Sequence, residues 1–170
     1  MNILVTLADY ATELMSFDET KVIVGRENAT QETFANDYIV VDALATLPKS
    51  HSREYDWDNE IEKRTTSLTG SFTFEFYGPN AETNAYKFVN IISSQQGKDL
   101  QKTKGITMYR PSSVNNLKQQ AGNKYFNRFE IEIMVQYNES FEIDTLRIEE
   151  IPVSQTDDAG HSNSYTVGYN

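Results

Sequence analysis

Apolar and polar positions along the chain alternate with two different periods, and the switches between them outline the elements. Leu4, Leu7, Ala8, Ala11, Leu14 and Met15 recur every three or four residues, which predicts an amphipathic helix over 2–15 with one buried stripe. The β-branched run Val22-Ile23-Val24 predicts a strand over 21–25, and 38–47 predicts a second, with polar loop at 26–37 between them. Pro48 and the hydrophilic stretch 49–54 predict a loop leading to a third strand over 55–63.

Phe72, Phe74 and Phe76 alternate with Thr73, Glu75 and Tyr77, the period of a strand with one face on a core, expected over 67–77. Gly78-Pro79-Asn80 breaks it. Asn80 is expected to cap a second helix, whose stripe is Ala81, Ala85, Phe88, Val89 and Ile92 and whose end falls near Gly97. A basic segment continues as a short helix to Lys104, and a brief strand follows over 105–109 until Pro111. Residues 114–123 are expected to be loop.

Phe129, Ile131, Ile133, Val135 and Tyr137 alternate with Glu130, Glu132, Met134 and Gln136, the clearest strand in the chain and the expected centre of the sheet. A turn at 138–140 and a further strand over 141–153 complete the pattern. The expected fold is α+β: an antiparallel or mixed sheet with two main helices on one face, formed by residues 1–153 as a single domain. Residues 154–170 are rich in Asp, Asn, Ser, Gly and Thr and read as a polar tail, flexible or ordered by a partner. Within it Tyr165, Val167 and Tyr169 alternate, as in a strand formed against a partner or a frayed terminus.

Composition narrows the functional classes. Cysteine is absent, which removes disulfide frameworks, thiol nucleophiles and thiolate metal sites. The first apolar run, Ile3–Leu7, is far shorter than a signal core or a membrane span, so a soluble protein made in the cytosol is expected, with no membrane partner. The acceptor-like triplets at Asn28 and Asn138 therefore carry no weight. A net charge of -10 argues against a duplex-DNA binder that neutralises phosphates. That charge is uneven. From Lys98 to Arg128 seven basic residues stand against Asp99, a local net of +6 that leaves -16 for the rest. Such asymmetry describes either a solvated face or a guide for contacts between copies or partners. Lys98, Lys102, Lys104 and Arg110, with Tyr165 and Tyr169 of the tail, are the candidate protein-interface residues.

The chain offers little to catalysis. Its two histidines, His51 and His161, fall in polar segments expected to be mobile, and a mobile base is poorly preorganised. Phosphate-cradling glycine loops and His-Glu-x-x-His are absent. Asp56, Asp58 and Glu60 would share one face of a strand, where a hard cation could bind, but Tyr55, Trp57 and Ile61 opposite them describe an ordinary half-buried strand. A metal-dependent hydrolase built on Asp56 or Asp58 is the weakest reading. No catalytic residue, cofactor or metal is assigned, and no enzyme is expected.

Several stretches, in this order, resemble the phage neck/tail-terminator family. They are Arg26-Glu27-Asn28, Tyr38-Ile39-Val40-Val41, Phe72 to Ala81 running from strand through Gly78-Pro79-Asn80 into a helix, Arg128 to Ile133, and Ile148-Glu149-Glu150-Ile151. The similarity covers 1–153; it departs at Ala29-Thr30-Gln31-Glu32, where the family often has an Ala-Pro-rich stretch, and it leaves out the tail. The resemblance implies a structural virion protein at the head-tail neck, assembled in the host cytoplasm. It implies a ring of subunits, usually six, that caps the tail tube and meets sheath proteins and the head-completion or connector protein, with DNA passing through the lumen. Six copies would carry -60 formal charges, which suits a channel that DNA must cross without sticking. The alternative is a soluble, non-enzymatic protein-binding adaptor domain acting as a monomer or dimer.

Overall fold

A computed structural model describes residues 2–25, 36–56, 58–111, 113–117, 119–121, 124–144, 150–156 and 162–168, with backbone alone for 119–121, 124–126, 150–156 and 162–168. The chain divides into two compact units, residues 1–52 with 65–139 and residues 53–64 with 140–170.

Helix α1 (Ile3–Met15) starts on Asn2, whose side chain accepts from the Val5 amide, and ends where Ser16 turns into the left-handed region. Strand β1 (Val22–Val24) runs parallel to the start of β2 (Tyr38–Asp56), pairing with Ile39–Val41. β2 and β3 (Ile61–Tyr77) are neighbours in a sheet ordered β1-β2-β3-β8-β4, where β4 is Ile106–Met108 and β8 is Arg128–Asp144. β4 pairs antiparallel with β8, as does the two-residue β5 (Asn115–Asn116). β6 (Gln119–Ala121) with β7 (Lys124–Phe126), and β9 (Glu150–Thr156) with β10 (Ser162–Gly168), form separate two-stranded sheets.

Helices α2 (Ala81–Ile92) and α3 (Gln95–Lys104) pack with α1 over one face of the sheet. The core between them holds Leu7, Tyr10, Ala11 and Leu14 of α1, Ala85 and Phe88 of α2, Ile39 and Val41 of β2, Phe72, Phe74 and Phe76 of β3, and the odd positions 129–137 of β8. Period-two alternation on β3 and β8 delivers these side chains to one side, where the Phe88 ring meets Phe74 at 4.8 Å and Phe76 at 5.6 Å. The α+β architecture is the one the apolar pattern predicts.

Two glycines allow close approaches. Gly78, at φ +103°, presses the end of β3 against Asn36 and Asp37, where a Cβ would stand 2.6 Å from the Asn36 carbonyl oxygen. Asp37 then holds the junction by accepting from the Asn80 amide (2.8 Å) and the Asn80 side chain (2.7 Å). Asn80 stands at the N-cap position of α2 as expected, but its side chain is committed to Asp37 and makes no capping hydrogen bond. Gly97 lets α3 lie against the end of α2, where a Cβ would meet the Ile91 and Ile92 carbonyls. α2 accordingly stops at Ile92 rather than near Gly97, and Ser94 caps α3 by accepting from the Gly97 amide at 3.1 Å.

Other boundaries move as well. β2 runs straight through Pro48 to Asp56, so the loop expected at 49–54 and the separate strand at 55–63 are replaced by one long strand and a turn at 58–60. Past Val41 no strand among the described residues pairs on its outer side, where a missing N–H is tolerated, and its polar residues suit exposure on both faces. β8 likewise continues to Asp144 through the turn expected at 138–140. The loop expected at 114–123 contains β5 and β6. β9 runs across the boundary expected at Val153, and β10 pairs with it residue for residue, Tyr165 opposite Val153.

Candidate assembly interface

The interface residues read from the sequence fall on different elements. Lys98 and Lys102 lie on α3 with exposed side chains, whose last turn faces a helix C-terminus that favours cations. Lys104 points back to α1 and forms an ion pair with Glu13, so it is engaged within its own chain. Arg110 is exposed and lines an open cleft of about 340 Å3 with Tyr86, Val89 and Asn90 of α2 and Pro111, Ser113 and Val114. The Tyr165 backbone lies in β10, while Tyr169 lies outside the described residues. Of the other basic residues in that stretch, Arg128 is turned inward.

Arg128 leads to a cluster the sequence reading missed. Glu75, read as the wet side of a half-buried strand, is fully buried: its side chain has 0% exposure. Its carboxylate accepts from the Arg128 guanidinium at 2.9 Å and from the Tyr77 hydroxyl at 2.5 Å. Arg128 also approaches Glu130 at 3.8 Å and sits over the Tyr77 ring at 5.7 Å. Tyr77 stacks on Tyr38 with centroids 4.6 Å apart, and Val40 and Ile23 close the apolar side of the group. Here the sheet face opposite the helices is covered too. Thr73 Oγ1 and Arg128 Nε are buried there with no hydrogen-bond partner among the described residues.

The electrostatics follow from that burial. The Tyr77 hydroxyl is held well above the ordinary phenol range, first by burial and then by its hydrogen bond to Glu75 and that carboxylate's charge. Tyr38 is raised in the same way, by burial first and then by the Glu75 charge. Burial pulls Arg128 down, but its hydrogen bond and charge contacts with Glu75 outweigh this and raise it. The cluster has the character of a locked structural joint between β2, β3 and β8 rather than of a reactive centre. One signal was legible beforehand: a lone Glu inside the apolar run Phe72–Tyr77, with Arg128 opening the other strongly alternating strand.

Asp56, Asp58 and Glu60 do not share a strand face. Asp56 ends β2, and its carboxylate accepts from the Asp58 and Asn59 amides and the Asn59 side chain, at 3.0, 3.2 and 2.8 Å. The Asn59 hydrogen bonds hold the Asp56 carboxyl below its ordinary value. It is thus a turn-forming Asp. Glu54, Tyr55, Asp56, Asp58, Ile61, Lys63 and Glu142 line an open cleft of about 610 Å3. Among the described residues no three His, Cys, Asp or Glu side chains stand close enough together to hold a metal ion. His51 hydrogen-bonds Thr66 at 3.0 Å, and His161 lies outside the described residues.

The described residues form a mixed sheet with helices on one face, a buried ionic joint and long solvated strands. The model of the phage neck terminator protein family matches residues 2–159, and the chain belongs to that family, a structural family of bacteriophages. The Gly78-Pro79-Asn80 junction and the strands around Tyr38, Phe72 and Arg128 that carried the resemblance all lie within that span. A comparison with curated proteins gave no match.

Proposed function

We infer that the chain is the subunit of a ring, of six copies, in the neck of a tailed phage virion. The ring ends growth of the tail tube and presents the surface onto which the head connector docks, and DNA passes through its lumen without specific binding. The protein has no enzymatic role and takes no cofactor. The observation that carries this reading is the family match over 2–159. The charge supports it, since -10 per copy gives a channel that repels the DNA backbone. So do the exposed Lys98, Lys102 and Arg110, which offer a basic face to an otherwise acidic neighbour.

The test is genetic and visual. Removing the protein from a phage that encodes it should leave filled heads and tails of uneven length that fail to join, as seen by electron microscopy, and supplying it in trans should restore joined particles. Normal infectious particles in its absence would contradict the reading.

A further inference from the structure

The sheet face turned away from the helices has two unlike ends. At one end Tyr38, Thr73, Glu75 and Tyr77 are buried. At the other end the even positions of β8 are open: Glu132, Met134 and Gln136 are exposed, while the odd positions between them fill the core under the helices. Tyr109, just past β4, joins them, because its hydroxyl donates to the Gln136 side chain at 3.1 Å and its amide to the Met134 carbonyl at 2.9 Å. On β3, Ser71 donates to Glu132, and Ser67 accepts from Gln136 at 3.4 Å.

Met134 is 52% and Tyr109 49% exposed, a neighbouring apolar pair on a sheet face whose other end is already covered. A sheet buries such groups by taking a second layer. Glu132 is the carboxylate of this open end, and β3, β4 and β8 place no Lys or Arg beside it: Arg128, the base on that face of β8, is turned to Glu75. The layer that fits is a helix bearing lysines. Lysine stems cover apolar surface while their ammonium groups reach a carboxylate or the face of a tyrosine ring. Lys98 and Lys102 supply that chemistry. Four residues apart, they share one side of α3 and are both exposed, and the carboxylate beside them, Asp99, accepts from the Gln95 side chain at 2.8 Å.

We propose that α3 of one copy, through Lys98 and Lys102, docks on the open sheet face of a second copy at Glu132, Met134 and Tyr109. α3 packs on one face of the sheet and the docking surface is the other, both within the unit of residues 1–52 and 65–139. The contact is therefore head-to-tail: each copy gives α3 to one neighbour and its sheet face to the other. Such a contact repeats around a closed ring. It rests on the ring reading above and names the surfaces that build it.

A charge swap tests it, with E132K/Q136K on the sheet face and K98E/K102E on α3. Two charges change at a time because a single exposed ion pair is worth little. All four positions are exposed, so circular dichroism and melting temperature should match the wild type. Should a double variant lose its fold, E132K or K102E alone replaces it. In sedimentation each variant alone should run as a monomer at concentrations where the wild type runs as a ring, since like charges then meet across the contact. Mixed in equal amounts, the two should form rings again with the variants alternating, because every contact then sets Lys against Glu. Folded variants that still form full rings alone, or a mixture that stays monomeric, overturn the docking and leave the ring standing. Rings that persist while head joining is lost assign these faces to another protein and overturn it too. A wild type that is monomeric at every concentration removes the ring reading itself.

Discussion

The Glu75-Arg128 joint makes a quantitative prediction. Glu75 is fully buried and the Arg128 side chain is 20% exposed, so Arg128→Met removes the guanidinium from a carboxylate that has no route to water. Removing one partner of a buried pair costs roughly 3–5 kcal/mol, and the partial exposure of Arg128 sets the expectation at the lower end, about 3 kcal/mol. For a chain of this size that is a fall of roughly 6–12 °C in melting temperature. Replacing both partners behaves differently. E75M/R128M leaves no charge behind and fills similar volume, and its remaining cost is the Tyr77 hydroxyl that loses its acceptor, about 1–2 kcal/mol. The double variant should therefore be more stable than R128M alone. Thermal and urea unfolding of the wild type, R128M, E75M and the double variant form a complete cycle. Additive losses, with the double variant least stable of the four, would refute a coupled ion pair at this site.

Phe74 and Ile131 are fully buried in the centres of β3 and β8, so Phe74→Ala and Ile131→Ala should each cost about 3 kcal/mol in urea unfolding. Gly78→Ala should destabilise by about 1–3 kcal/mol, through its positive φ and the contact with Asn36, and the loss should appear as earlier melting. The Tyr77 hydroxyl titrates above its unfolded value, so its contribution is complete below about pH 10 and is lost as pH rises through the higher folded value. Stability followed against pH should fall on the alkaline side, and less steeply in Y77F; equal slopes would count against the assignment.

What was legible in the sequence was mainly the half of the molecule that faces the helices. The stripe of α1, the alternation in 129–137 and the Gly78-Pro79 break follow from local periodicity, and α1, the start of β8 and the end of β3 stand within a residue or two of where the pattern puts them. The opposite face was not legible, because alternation says which residues share a side and not whether a second layer covers them. Thr73, Glu75 and Tyr77 read as solvent-facing for that reason, yet all three are buried. The outer parts of β2 and β8 were misread from the other direction. Pro48, Lys49 and Asn138 are ordinary loop residues by composition, and only pairing with β3, next in the chain for β2 and far from it for β8, makes them strand. Among the interface candidates, the engagement of Lys104 depends on Glu13, 91 residues away, which no local spacing reveals.

Native mass spectrometry of the purified protein, with negative-stain images of the same sample, tests most directly whether this chain is a ring subunit. One dominant species with a mass of six times 19.4 kDa and a central opening in the images is expected. A monomer or a compact dimer at all concentrations would contradict it and make the adaptor reading the stronger one.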